Sequence, residues 1–147
     1  MRIFLIILMG LSYFVYADFS RANGVVKDSL TRLQWQDNYS DNGEETKRVE
    51  WIEAIEYCEN LVLAGENDWR LPSINELSSI VDYSRQEPSL NSMFEYVEFD
   101  RFDTYWSSTT FSGYSGNFAW RVYFSYGYQY YGTKAYSGYV RCVREGQ

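Results

Sequence analysis

Between residues 49 and 63 the apolar residues follow a helical spacing. Trp51, Ile55, Cys58 and Val62 fall at i, i+4, i+7 and i+11, Ala54 and Leu61 widen the stripe, and Glu50, Glu53, Glu56, Glu59 and Asn60 line the other side. The 3.6-residue period predicts an amphipathic helix over 49–63 with Cys58 turned inward, and Gly65 stops it. A second helix is predicted after Trp69-Arg70-Leu71-Pro72. Ser73 followed by Glu76 is a capping box, in which each side chain satisfies an orphan backbone N–H of the other residue. Ile74, Leu77, Ile80 and Val81 form its apolar side, and Asp82 to Pro88 ends it.

Elsewhere the period is two, which marks strands. Val25 to Gln36 reads as a short hairpin, with apolar runs either side of Lys27-Asp28-Ser29 and with Leu33 and Trp35 on one face. Trp106 to Thr110 reads as a strand, and so does Trp120 to Ser125, where Trp120, Val122 and Phe124 alternate with Arg121, Tyr123 and Ser125. The last strand is expected over Tyr139–Arg144, with Val140 and Cys142 opposite Arg141 and Val143. The polar loop from Asp37 to Lys47 is rich in acids, but it fails as a calcium loop. An EF-hand needs Gly at the sixth position and Glu at the twelfth, and Asn42 and Arg48 stand there.

The first 17 residues have a different character: Arg2, an apolar run from Ile3 to Val15, then small residues at Val15 and Ala17. This is the pattern of a secretory signal cut after Ala17, and the run falls short of the ~20 apolar residues that cross a bilayer. The expected organisation is a signal peptide over 1–17 and one domain over 18–147. The mature protein is then exported, to the periplasm, the extracellular space or the cell surface, and is not held in a membrane.

Composition narrows the chemistry. None of the 147 residues is histidine, so Ser-His and Cys-His nucleophile pairs and His-ligated metals are excluded. A carboxylate pair, as in glycoside hydrolysis, is the remaining catalytic option, yet no two acids share an apolar setting. Glu76 is explained as a cap and Glu50 to Glu59 as a solvated face. No catalytic residue, metal ligand or cofactor is therefore assigned. After the signal, 12 basic side chains face 20 acidic ones, with residues 18–104 at net −11 and residues 105–147 at +3. Such a protein is a poor ligand for nucleic acid or anionic lipid. In an oxidising compartment the two cysteines, Cys58 and Cys142, most economically form one disulfide; two free thiols would need a reducing compartment.

Several short motifs, taken in order, resemble one family. They are Leu33-Gln34-Trp35, Tyr57-Cys58 on the helix that carries Trp51, Asn67-Asp68-Trp69-Arg70-Leu71-Pro72 with Glu76-Leu77, Tyr105-Trp106-Ser107-Ser108-Thr109, Ala119-Trp120, and Val140-Arg141-Cys142-Val143-Arg144. This set is similar to the Lcl C-terminal domain family, founded on the C-terminal part of a collagen-like adhesin, and covers most of residues 22–145. The resemblance implies an α+β, C-type-lectin-like fold related to the formylglycine-generating enzyme, with two helices packed on small antiparallel sheets and terminal strands near each other. It also implies exported proteins used in attachment, some of them trimeric and binding sulfated glycosaminoglycans, so a homo-oligomer is allowed. This chain departs from that pattern in its acidity and in carrying no Gly-X-Y repeat. Formylglycine-type catalysis does not carry over, because that enzyme uses a cysteine pair in its site, whereas both cysteines here are committed to the expected structural bridge. The Glu-Pro-Asn loop of calcium-dependent lectins is echoed only by Glu87-Pro88-Ser89, with no later Trp-Asn-Asp.

Residues 105–139 hold 14 aromatic side chains, while their only charges are Arg121 and Lys134. From Tyr123 onward the stretch is built of Tyr, Ser and Gly, the residues that antibody paratopes favour because Tyr gives rigid amphipathic contact at low entropy cost. The expectation is a non-catalytic module that binds a surface glycan or protein through Tyr126, Tyr128, Tyr130, Tyr131 and Tyr136, with Lys134 as its cation. The bland alternative makes alternate rings half-buried strand residues.

Overall fold

A computed structural model describes residues 18–146. The signal-peptide expectation falls on residues 1–17 and lies outside the described residues. The remainder is α+β: two helices, two small sheets and one disulfide. The first sheet has the order β1-β2-β3-β9, with β1 at Phe19–Ala22, β2 at Val25–Asp28, β3 at Leu33–Gln36 and β9 at Val143–Glu145. The second has the order β4-β8-β5-β6-β7, from β4 at Arg48–Val49 and β8 at Gly138–Tyr139 to β5 at Tyr105–Phe111, β6 at Phe118–Tyr123 and β7 at Tyr128–Thr133. All pairs are antiparallel except β5 with β8.

The predicted hairpin is β2–β3, with Leu33 and Trp35 buried as the alternation requires. β1 was not anticipated. It joins β2 through Asn23-Gly24, both at positive φ, the pair that a two-residue hairpin turn favours. The helix predicted over 49–63 is α1, Trp51–Asn60. It stops short of Val62, which is 71% exposed, because Leu61 is already extended and turns inward. The second helix, α2 at Ile74–Ser79, has the complete capping box between Ser73 and Glu76. Its first N–H donates to Thr109 Oγ1 at 3.0 Å, which joins it to β5.

The expected last strand over 139–144 is two strands in two sheets. Tyr139 closes β8, Val143 opens β9, and residues 140–142 cross between the sheets with every side chain partly or fully buried. Arg141 is fully buried there rather than on a polar strand face, because it meets the equally buried carboxylate of Asp37 at 3.1 Å. A charge out of water demands a partner and further hydrogen bonds. Arg141 also donates to the carbonyls of Gln36 and Tyr96 and lies 4.6 Å from the Phe94 ring centroid. The bridge from Cys58 to Cys142 ties α1 to this crossing segment, with the Cα atoms 5.5 Å apart.

Candidate functional site

The tyrosine-rich stretch is the end of β6, a turn and the outermost strand β7. Phe124 is buried edge-on against Tyr105, with centroids 5.0 Å apart, and anchors the turn in the core. The carbonyl of Ser125 accepts from the Glu87 N–H at 2.8 Å and the Ser89 hydroxyl at 3.2 Å, and Ser89 N–H donates to the Phe124 carbonyl. Gly127 sits at φ +77° and donates to the Tyr123 carbonyl. A Cβ on Gly127 would come within 2.5 Å of Val81 Cγ1, so both the dihedral and the close approach select glycine.

With the turn fixed in this way, the rings on either side face outward. Tyr126 and Tyr128 lie 6.3 Å apart by their centroids, and Tyr123 meets Tyr130 edge-on at 5.8 Å. Tyr128 is 67% exposed and Tyr130 is 50% exposed. Tyr123, Tyr126, Tyr128, Gln129 and Tyr130, with Arg101 opposite, line a cleft of about 260 Å³. A second hollow of about 560 Å³, lined by Glu87, Phe99 and Asp100, shares Arg101, Ser125 and Tyr126 with it. The two are lobes of one groove. Tyr126 donates to Glu87 Oε1 at 2.9 Å, and that hydrogen bond raises the Tyr126 phenol above its ordinary pKa. Partial burial, with Tyr130 beside it, raises Tyr123 as well.

Of the six sequence-predicted binding residues, Tyr126, Tyr128 and Tyr130 come together in this groove. Tyr131 stacks flat on Phe111 at 4.0 Å, with Trp120 and Phe118 edge-on around it. Lys134 lies over the Trp51 ring at 3.8 Å and bonds Thr110. Tyr136 projects from the turn after β7, and its carbonyl accepts from Arg121. Arg121 is itself buried with no carboxylate partner among the described residues, 3.4 Å from the Trp106 ring centroid, and burial lowers its pKa to about 10. Its donors hold Thr133, Tyr136 and Ser137 carbonyls and so fix that turn.

The sequence reading missed Arg101, Tyr123, Ser125 and Gln129 as groove residues. Tyr123 and Ser125 open the Tyr/Ser/Gly-rich stretch, where their alternation with Val122 and Phe124 also reads as strand. Arg101 is the lone cation in the acidic run Glu95–Asp103, which was the available hint. Its segment has no regular structure and is held from beneath. Asp37 accepts from the Glu95 and Tyr96 N–H groups, Arg141 binds the Tyr96 carbonyl, and Tyr105 accepts from Glu98 N–H at 2.7 Å.

The profile of the Lcl C-terminal domain matches residues 24–144. The chain belongs to the Lcl C-terminal domain family. No curated protein matches it. The motifs that carried the resemblance to the Lcl C-terminal domain do structural work in this chain. In Asp68-Trp69-Arg70-Leu71-Pro72, Asp68 binds Arg144 Nε at 2.6 Å, Arg70 pairs with Glu76 and Glu145, and the Arg70 backbone bridges to Val143. In Trp106-Ser107-Ser108-Thr109, the indole donates to the Val49 carbonyl, Ser107 donates to the Trp120 carbonyl, and Thr109 receives α2. The groove residues Tyr126, Tyr128, Tyr130 and Arg101 lie outside these motifs.

Proposed function

We propose that this Lcl C-terminal domain is an exported, non-catalytic recognition module of C-type-lectin-like fold that binds a surface glycan or protein ligand through the tyrosine groove. The observation that carries the reading is the convergence of four tyrosines and one arginine that makes no ion pair among the described residues on a concave surface at the end of a sheet. Binding sites combine apolar walls with a few placed polar groups, and exposed Tyr is the side chain that recognition surfaces favour. The adhesin-related family supports attachment as the role. The fold assignment is supported by the seating of β9 beside β3 and by the α1-to-C-terminus disulfide. The disulfide also supports export, and among the described residues no helix is long and apolar enough to cross a membrane.

The test is a binding screen of the oxidised 18–147 domain against glycans and surface proteins, with and without calcium. It is repeated with a Tyr126→Ala/Tyr128→Ala variant. The expected result is a calcium-independent ligand that the variant loses; retention by the variant would place recognition elsewhere.

A further inference from the structure

We propose that the groove takes an uncharged pyranose glycan, with one sugar ring against the tyrosine lobe and its neighbour in the acidic lobe. The inference rests on the binding reading above and names the ligand class for that site. Four features of the groove select this chemistry.

The tyrosine lobe offers exposed aromatic rings at Tyr126, Tyr128 and Tyr130, with the half-buried Tyr123 edge-on to Tyr130. The C–H face of a pyranose is apolar and fits against such rings, whose area can be covered without stripping water from a charge. The other lobe carries carboxylates at Glu87 and Asp100 next to the guanidinium of Arg101. Arg101 makes no ion pair among the described residues. Carboxylates accept and guanidinium donates, and vicinal sugar hydroxyls offer both functions at once.

Ser125, which lines both lobes, is the third feature. It is only 2% exposed, and its Oγ has no hydrogen-bond partner among the described residues. A buried hydroxyl left unpaired carries a desolvation cost, and a χ1 rotation that turns the Ser125 Oγ toward the junction of the lobes would let a ligand hydroxyl supply the missing bond.

Charge and size are the fourth. The lining has two carboxylates against one guanidinium, so a sulfated or uronic sugar would leave an anion facing anions. Each lobe is lined by six or seven residues. A stable protein partner engages about 20–30 residues a side, whereas one or two sugar rings match hollows of this size.

The deciding experiment immobilises neutral hexose and N-acetylhexosamine oligosaccharides beside heparin fragments and a random-peptide library. The oxidised domain is compared with Tyr128→Ala, Asp100→Asn and Arg101→Ala variants, all at exposed groove positions, each checked for an unchanged circular-dichroism spectrum. The expected result is retention on neutral oligosaccharides, weakened about three- to tenfold by Tyr128→Ala and about tenfold by Asp100→Asn or Arg101→Ala. Retention on heparin or on peptides alone, lost in the same variants, overturns the uncharged-glycan class and leaves the binding reading standing. Retention of any ligand that none of the three variants alters overturns both. The absence of retention on every neutral oligosaccharide overturns the proposal.

Discussion

Asp37 is the position where the fold and the groove are coupled most tightly. Its buried carboxylate accepts from Arg21 Nε at 2.7 Å, Arg141 Nη1 at 3.1 Å, Glu95 N–H at 2.9 Å and Tyr96 N–H at 3.2 Å. Asp37→Ala removes all four acceptor contacts and leaves the fully buried guanidinium of Arg141 without its counter-charge. Removing one partner of a buried pair costs about 3–5 kcal/mol, because the other charge stays desolvated and unpaired. For a domain of this size that lowers Tm by roughly 10–20 °C. Replacing both partners, as in Asp37→Ala/Arg141→Met, is expected to cost less than the single variant, since the orphaned charge is gone. Thermal and urea unfolding with the disulfide intact measure all three proteins, and Glu59→Ala on the exposed face of α1 serves as a control within about 0.5 kcal/mol. A single-variant loss under about 1 kcal/mol, or a double variant worse than the single, would refute this account of the hub. Because the same carboxylate holds residues 95 and 96, the variant is also expected to loosen the segment that presents Arg101, seen as faster amide exchange over 95–103.

The bridge closes a separation of 84 residues, and in the chain-entropy model its loss removes about 4–5 kcal/mol; denaturant titration of Cys58→Ala/Cys142→Ala checks this. Gly138→Ala would put a Cβ 2.9 Å from the Trp106 indole nitrogen, so it should cost about 1–3 kcal/mol as overpacking does; an unchanged urea midpoint would contradict that contact. Tyr128→Ser should leave Tm within a degree or two, whereas Tyr130→Ser, which loses contacts to Tyr123 and Tyr131, should cost about 0.5–1.5 kcal/mol; scanning calorimetry of the pair separates surface ring from packed ring. Glu76 feels burial, which raises its pKa, but its bonds to Arg70 and Ser73 outweigh that and leave it lowered from 4.5. A carboxyl depressed in the folded state contributes stability above its unfolded pKa and loses it as pH falls through the lower folded one. The gap in stability between the native protein and Glu76→Gln should therefore be constant at neutral pH and shrink below about pH 4.5; a gap that widens in acid would reverse the sign.

Legibility in the sequence followed the range of the interactions. The capping box at Ser73 and Glu76, the helix through Cys58 and the alternation of Leu33 and Trp35 are local patterns, and each appears where its period or spacing requires. Asn23-Gly24 is also a local signal, for the turn that joins β1 to β2. The ends of elements set by distant contacts were harder. Val62 fits the helical stripe, yet the chain leaves α1 at Leu61. Residues 139–144 alternate like one strand, but the Arg141 charge is neutralised by Asp37, 104 positions away, and nothing near either residue announces the pair. The same limit applied to the groove. Tyr126, Tyr128 and Tyr130 stood out by composition, while Arg101 and Ser125 matter because the loop after α2 and the segment before β5 fold against the β6–β7 turn. Lys134, the cation nearest the tyrosines in sequence, lies over the Trp51 ring, a contact that no local pattern announces.

The most direct test of the central claim is an amide chemical-shift map of the ¹⁵N-labelled, oxidised domain during titration with the tightest ligand from the screen. The account predicts that saturable shifts cluster at residues 99–101 and 123–130, together with Glu87. An alternative opening on the described surface is the acid-rich hollow of about 540 Å³ lined by Asp41, Glu53, Glu56 and Tyr57. Shifts confined to that face, with the tyrosine groove unmoved, would contradict the account.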